Sequence, residues 1–157
     1  MRTSTTSYWR VSEPGRTLPR GSGLIDAVAV DTDVISFFFK ADTRAALYIP
    51  HLADKLLIAS FMSLAELRQW ALVKNWGDRR KSELEAFLKE RYIVIQSDDN
   101  LCSVWAEVAG IAMKYGKPID SADAWIAATA LLYDVPLVTH NRVHFSGVEG
   151  LALISES

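Results

Sequence analysis

From Leu24 onward, short apolar runs alternate with longer stretches of helical period. Residues 26–31 (DAVAVD), 56–60 (LLIAS), 92–96 (YIVIQ), 136–139 (PLVT) and 151–154 (LALI) read as strands. The segments 33–48, 63–75, 78–91, 98–115 and 121–133 read as helices. The clearest period is in 98–115, where apolar residues at 101, 104, 105, 108, 111 and 112 follow the i, i+3, i+4 spacing. Residues 121–133 are rich in alanine, which lets a helix approach a sheet closely. Such alternation predicts βαβ units: an α/β fold, with helices covering both faces of a mostly parallel sheet of about five strands. Ahead of this body, residues 1–23 show no apolar period and are dominated by Ser, Thr, Arg, Pro and Gly. They read as a flexible N-terminal extension to one domain over 24–157. Tyr8 and Trp9 are its only large anchors, and an arm docked on the body or on a partner is the other reading.

Composition narrows the class. A chain of 157 residues, half of them hydrophobic, fits one domain with a full core. No apolar run is long enough for a membrane span, and the N-terminus lacks the apolar segment of a secretory signal. Cys102 is the single cysteine, so no internal disulfide forms. A reducing cytoplasm is expected, with Cys102 as a buried small hydrophobe. The net charge of −2 is unevenly spread. Residues 1–24 hold Arg2, Arg10, Arg16 and Arg20 against Glu13 alone, a local +3, which leaves −5 for the remainder. That excludes a uniformly basic nucleic-acid binder and points to acidic groups that hold cations.

In parallel sheets of this kind ligands sit outside the carboxyl ends of the strands. The first strand ends in Asp31-Thr32-Asp33. Two carboxylates at a buried strand tip are costly unless a cation such as Mg²⁺ joins them, although Asp31 or Thr32 could instead cap the next helix. After the second strand, Ser63-Leu64-Ala65-Glu66 has the spacing of a capping box, with Ser63 at N-cap and Glu66 at N3. Glu66 also faces the sheet's carboxyl edge, so the two readings compete for the same oxygens. Before the Ala-rich helix, either Asp120 or Ser121 can cap. Asp123 then lies in the first turn, on a face it can share with Asp120. The fourth strand ends at Thr139, followed by His140-Asn141-Arg142-Val143-His144. His140 and His144 have the spacing of paired metal ligands, but hydrogen bonding is the commoner use of such histidines. Thr139 and Asn141 read as groups that orient carboxylates or substrate.

These residues resemble the PIN-domain nucleases, and among them the VapC-type toxins of bacterial toxin–antitoxin pairs. The segment from Asp31 to Ser36 looks like the family's opening motif, which usually reads Asp-Thr-Asn. Ser63 to Leu67 is similar to its second acidic motif. Asp123 to Ala130, followed by Pro136 to Asn141, resembles the third and most specific; Phe145 and Gly150-Leu151 continue the closing pattern. The resemblance covers about residues 26–154. It implies a PIN-like α/β/α sandwich, with Asp31, Glu66 and Asp123 holding Mg²⁺ or Mn²⁺ and Asp120 as a possible helper. Thr32, Asp33, Thr139, Asn141 and His144 would support them. Two positions depart from the pattern: Asp33 stands where Asn is usual, and His144 where a fourth acid often lies.

The implied reaction is endonucleolytic hydrolysis of structured RNA such as tRNA or rRNA, leaving a 5′-phosphate and a 3′-hydroxyl without a side-chain nucleophile. RNA contacts are expected from Arg68, Arg142 and Lys117, with Arg79, Arg80, Lys81 and Lys114 as further candidates. The helix 78–91 reads equally well as a solvated face, and Trp125 reads as core. The implied partners are a small VapB-like antitoxin, docking an apolar segment against Phe37–Phe39, Trp70 and Trp76, and a second copy of the chain. Two rivals stay open. One is a catalytically silent PIN-like module that only binds RNA or protein. The other is a phosphatase of the haloacid-dehalogenase type, using Asp31 and Asp33 with Asp98-Asp99 as its later acidic pair.

Overall fold

The computed structural model describes residues 26–157; the extension expected over 1–23 lies outside them. The elements run β1 (Ala27–Val30), α1 (Thr32–Lys40), α2 (Ala45–Leu52), β2 (Leu56–Ser60), α3 (Phe61–Val73), α4 (Asp78–Arg91), β3 (Ile93–Ile95), α5 (Asp99–Lys114), α6 (Ser121–Tyr133), β4 (Leu137–Val138), α7 (Arg142–Phe145) and β5 (Leu153–Ile154). The five strands form one sheet in the order β3-β2-β1-β4-β5, and every pairing is parallel. The expected α/β/α sandwich is what forms.

The alternation of side chains along β1 assigns the layers. Val28 and Val30 join a core built with Val34, Ile35 and Phe37 of α1, Tyr48 and Leu52 of α2, Leu67 and Ala71 of α3, and Leu84 and Leu88 of α4. Ala29 points the other way, into a core shared with Leu101, Val104 and Val108 of α5, Ala124, Ala127 and Ala128 of α6, and Phe145 of α7. Small residues on both sides of that contact let α6 lie close on the sheet, as its composition suggested.

Three local expectations are corrected. The single helix over 33–48 is two. Ala41 takes a left-handed φ of 54° and its N–H caps α1, while Asp42 Oδ1 accepts the Arg44 N–H at 2.9 Å. A short polar side chain satisfying backbone locally competes with helix continuation, and the break lets α2 carry Tyr48 fully into the core. The helix expected to start at Ser63 starts two residues earlier. Ser60, the last residue of β2, is its N-cap and accepts the Met62 N–H at 3.1 Å. Cys102 is exposed on the outer side of α5 rather than buried. A short α7 that the apolar pattern does not announce buries Phe145 at the end of β4. No described helix is long and apolar enough to cross a membrane.

The strand order contains one reversal. The chain moves outward from β1 to β2 and β3, then returns through α5 and α6 to place β4 on the other side of β1. The carboxyl ends of β1 and β4 therefore flank the point where crossovers diverge, the usual place for a ligand crevice in an open α/β sheet.

Candidate active site

Asp31 directly follows β1 and Thr139 directly follows β4, and they meet at this crevice. Asp31 is 5% exposed; its Oδ1 accepts the Thr32 N–H at 2.7 Å and its Oδ2 accepts the Thr139 hydroxyl at 2.8 Å. Thr139 is fully buried behind it and also accepts the Asn141 N–H. Asp33 sits one residue further round. Its Oδ1 accepts the Val34 N–H at 2.6 Å, and its Oδ2 takes the His140 N–H and Asn141 Nδ2, both at 3.1 Å. The loop after β4 thus holds both acids that follow β1.

Glu66 reaches the same place from α3. Because α3 begins at Phe61, Glu66 lies in its second turn and is free of the capping role expected for it. Ser63, expected as the cap, is fully buried one turn earlier. Thr32 Oγ1 lies 2.7 Å from Glu66 Oε1 and 2.8 Å from Ser63 Oγ. A hydroxyl has one proton, so Thr32 donates to only one of these acceptors at a time. From α6, Asp120 is the N-cap and accepts the Ala122 N–H at 2.9 Å, which decides between Asp120 and Ser121. Asp123, in the first turn, has Oδ2 3.2 Å from His144 Nδ1. His140 turns the other way: its ring meets the Tyr48 hydroxyl at 2.7 Å and the edge of Phe37. The two histidines do not form a ligand pair.

These groups line one cavity of about 760 Å³, whose walls include Asp31, Thr32, Asp33, Glu66, Asp120, Asp123, Asn141 and His144. Its electrostatics are one-sided. Burial raises the Asp31 carboxyl well above the ordinary aspartate range, with the charge of Asp33 adding to it. Asp33 is raised, again chiefly by burial. Glu66 is raised by burial and then by Asp123 and Asp120, and Asp123 by burial, partly offset by His144. Four carboxyl groups thus hold protons more tightly than usual, chiefly because they are buried, with neighbouring acids adding to the effect at Asp31, Glu66 and Asp123.

Among the described residues, no three acids, histidines or cysteines converge closely enough to form a finished ion cage. The donor set still suits a hard divalent cation: oxygen donors only from four elements, with their own repulsion unrelieved. Each acid is turned to its own hydrogen-bond donor.

The expected basic contacts are not in the cavity wall. Arg68 forms a two-pronged pair with Glu85 at 2.7 and 2.9 Å on the outer face of α3, and Lys117 and Arg142 are exposed elsewhere. Lys40, Ser36, Gln69 and Trp70 line the wall instead. Their signal was available as helical spacing: Asp33, Ser36 and Lys40 fall on one face of α1, and Glu66, Gln69, Trp70 and Val73 on one face of α3. The open aromatic groove expected of Phe37–Phe39, Trp70 and Trp76 is largely closed. Phe37 is core, Phe39 packs on Trp76 and Phe87, and Trp76 meets the edge of Trp70. Trp125 stacks on Trp105, as core, with centroids 5.1 Å apart. Asp98 caps α5 through the Leu101 N–H, and neither it nor Asp99 reaches the cavity, so the acidic pair a dehalogenase-type phosphatase needs is missing from the site.

The comparisons with known proteins agree with this geometry. The family model of the PIN domain matches residues 28–151. Ribonuclease VapC1 of Haemophilus influenzae is 29% identical over 124 residues, 78% of this chain and 92% of the relative. Ribonuclease VapC1 of Methanocaldococcus jannaschii is 25% identical over 81 residues, 52% of this chain and 60% of the relative. Among solved structures, VapBC-1 from nontypeable H. influenzae superposes with a TM-score of 0.70 at 26% identity, covering 82% of this chain and 97% of that one. DNA-bound VapBC from Salmonella typhimurium reaches a TM-score of 0.73 at 20% identity, covering 83% and 98%. A model that matches most of the chain, an acidic crevice at the β1–β4 switch point and a shared three-layer fold lead to one assignment: the chain belongs to the PIN-domain family.

Proposed function

We propose that the chain is a divalent-metal-dependent endoribonuclease and the toxin of a toxin–antitoxin pair. The observation that carries the reading is the set of carboxylates around one cavity, at the carboxyl ends of the strands, raised together chiefly by burial. The names of the curated relatives, both ribonucleases, supply the reaction class.

Asp31, Glu66 and Asp123 would hold Mg²⁺ or Mn²⁺, with Asp120 as helper. A bound divalent cation supplies acidification of an attacking water and charge stabilisation on the phosphoryl oxygens. The protein's own contribution is to fix the acids. Thr139 and the Thr32 N–H hold both oxygens of Asp31, and the Thr32 hydroxyl orients Glu66. The His140 N–H and Asn141 hold Asp33, and His144 stands against Asp123. Such supporting contacts typically carry 10–100-fold in metal affinity or activity. No serine or cysteine nucleophile is needed, and the exposed Cys102 lies away from the cavity.

Structural neighbours include a toxin–antitoxin complex from Klebsiella pneumoniae and VapBC-5 of Mycobacterium tuberculosis, a member of the VapBC family of toxin–antitoxin systems. By analogy, a VapB-like antitoxin would silence this chain by covering the acidic cavity, and the chain would work in the cytoplasm as a homodimer on structured RNA such as tRNA or rRNA. The test is incubation of purified protein with total tRNA and rRNA in Mg²⁺, in Mn²⁺ and in EDTA, beside Asp31→Asn. Cleavage that needs the metal and is lost in the variant is expected. No cleavage by the wild type at any metal concentration overturns the nuclease reading and leaves a silent binding module.

A further inference from the structure

The acidic crevice occupies only one end of its cavity. The other end runs between α1 and α3, along Ser36 and Lys40 on one side and Gln69, Trp70 and Val73 on the other. Lys40 lies seven residues beyond Asp33 on the same helix, ~10 Å along its axis at about 1.5 Å per residue. It is the only lysine or arginine among the described residues lining the cavity. Its ammonium lies 4.4 Å from the centre of the Trp70 ring, a cation held over an aromatic face at the wall of the cavity. Gln69 is exposed beside it, with amide donors and an acceptor.

We propose that Lys40, Gln69 and Trp70 form a nucleotide subsite next to the cleavage position, which takes the phosphate on Lys40 and an unstacked base on Trp70. The proposal rests on the ribonuclease reading, since a phosphodiester at the acids carries its neighbouring nucleotide into one of the two ends. The cavity's ~760 Å³ far exceeds what a single phosphate occupies and lies within the range that encloses whole ligands. The charges also match. A strand that meets five carboxylates at one end needs a fixed cation at the next phosphate, and Lys40 supplies it. An ammonium leaving the indole face for a phosphate uncovers that face for a base. Stacking of a base on an aromatic side chain tolerates any sequence, whereas Gln69 can favour particular base edges.

The test uses the full chain carrying Asp31→Asn to block cleavage, in Mg²⁺. Binding of a fluorescein-labelled uridine 12-mer and of an abasic ribose-phosphate 12-mer is followed by anisotropy across salt concentrations. Trp70→Leu is expected to weaken the uridine oligomer roughly 5- to 150-fold and the abasic one far less, with Trp70→Phe retaining most of the binding. Lys40→Gln is expected to weaken both oligomers and flatten the dependence of log K on log salt by about 0.7, with Lys40→Arg restoring it. Circular dichroism melting identifies a variant that fails to fold, and the two conservative variants then carry the test. If folded Trp70→Leu and Lys40→Gln bind both oligomers like the parent while the wild type cleaves RNA, the subsite is overturned and the wall belongs to a protein partner. If the wild type neither cleaves nor binds RNA, the ribonuclease reading falls as well.

Discussion

Asp31 and Glu85 are both carboxylates held by good hydrogen-bond donors, yet their environments act in opposite directions. Glu85 lies half-exposed on α4 with both oxygens on the guanidinium of Arg68, which lowers its carboxyl below the usual glutamate range. Asp42 is likewise held down by Arg44 on the surface. Asp31 is held by a hydroxyl and a backbone N–H, with Asp33 and Asp123 nearby, and burial raises it. Surface acids here are matched with arginines, while Asp31 and Glu66 at the switch point are matched with neutral donors. Neutral donors orient a carboxylate without cancelling its charge, so the crevice keeps its attraction for a cation that comes from outside.

The largest expected effect breaks that contrast at its centre. Asp31→Asn and Asp123→Asn keep the shape of the side chain and remove the charge. Each is expected to lower RNA cleavage by at least ~100-fold, beyond the 10–100-fold typical of a supporting contact. Isothermal titration with Mn²⁺ should show the accompanying loss of metal binding.

The same charge should be a liability to the metal-free fold. Folding raises these carboxyls, so the native state binds protons more tightly than the unfolded chain, and stability falls as pH rises through the raised values. The penalty is absent below the ordinary carboxylate values of 3.8 and 4.5 and complete above the raised ones. In EDTA, the melting temperature of the wild type should therefore gain on that of Asp31→Asn as pH falls toward the ordinary carboxylate range, and Asp31→Asn should be the more stable of the two above the raised values. The surface pairs have the opposite sign and lose their contribution only as pH falls below the ordinary range, so they do not mimic the effect. Added Mg²⁺ should narrow the difference by stabilising the wild type alone.

The third effect lies one contact further out. Thr32→Val keeps the volume but leaves Glu66 unheld and removes the hydrogen-bond partner of the buried Ser63 hydroxyl. Metal affinity and cleavage should fall by ~10–100-fold, and stability by ~1–3 kcal/mol in chemical denaturation.

The sequence made much of this legible, for identifiable reasons. Strand ends in a parallel sheet mark the crevice, so Asp31, Thr139 and Asn141 could be placed from the apolar pattern alone. The Ala-rich run around Asp123 and the unbroken helix over 121–133 followed from composition. Glu66 was harder, because Ser63 and Glu66 have capping-box spacing; only the direct passage of β2 into α3, capped by Ser60, frees Glu66 for the site. The lining of the cavity is harder to read, because charge alone does not say which face a residue occupies. Arg68 looked available and is tied to Glu85, whereas Lys40, hidden at the end of an aromatic run, stands on the face of Asp33. The break at Ala41 depends on Tyr48 finding its place in the core, a tertiary requirement that a local period does not contain.

The smallest effect tests the outer half of the comparison. Arg68 and Glu85 are each about half-exposed, so solvent and salt screen the pair despite its good geometry. Arg68→Ala should cost only ~0.2–1 kcal/mol, fading further in high salt. Because Arg68 does not line the cavity, RNA cleavage should stay within about twofold of the wild type, as expected for a surface substitution away from the site. The measurement matters because Arg68 is the nearest arginine in sequence to Glu66 and was the natural candidate for an RNA contact. A strong loss of cleavage with unchanged stability would mean that Arg68 leaves Glu85 when substrate arrives. The division between paired surface acids and unpaired crevice acids would then describe only the unliganded protein, and the basic rim would have to be redrawn along the outer face of α3.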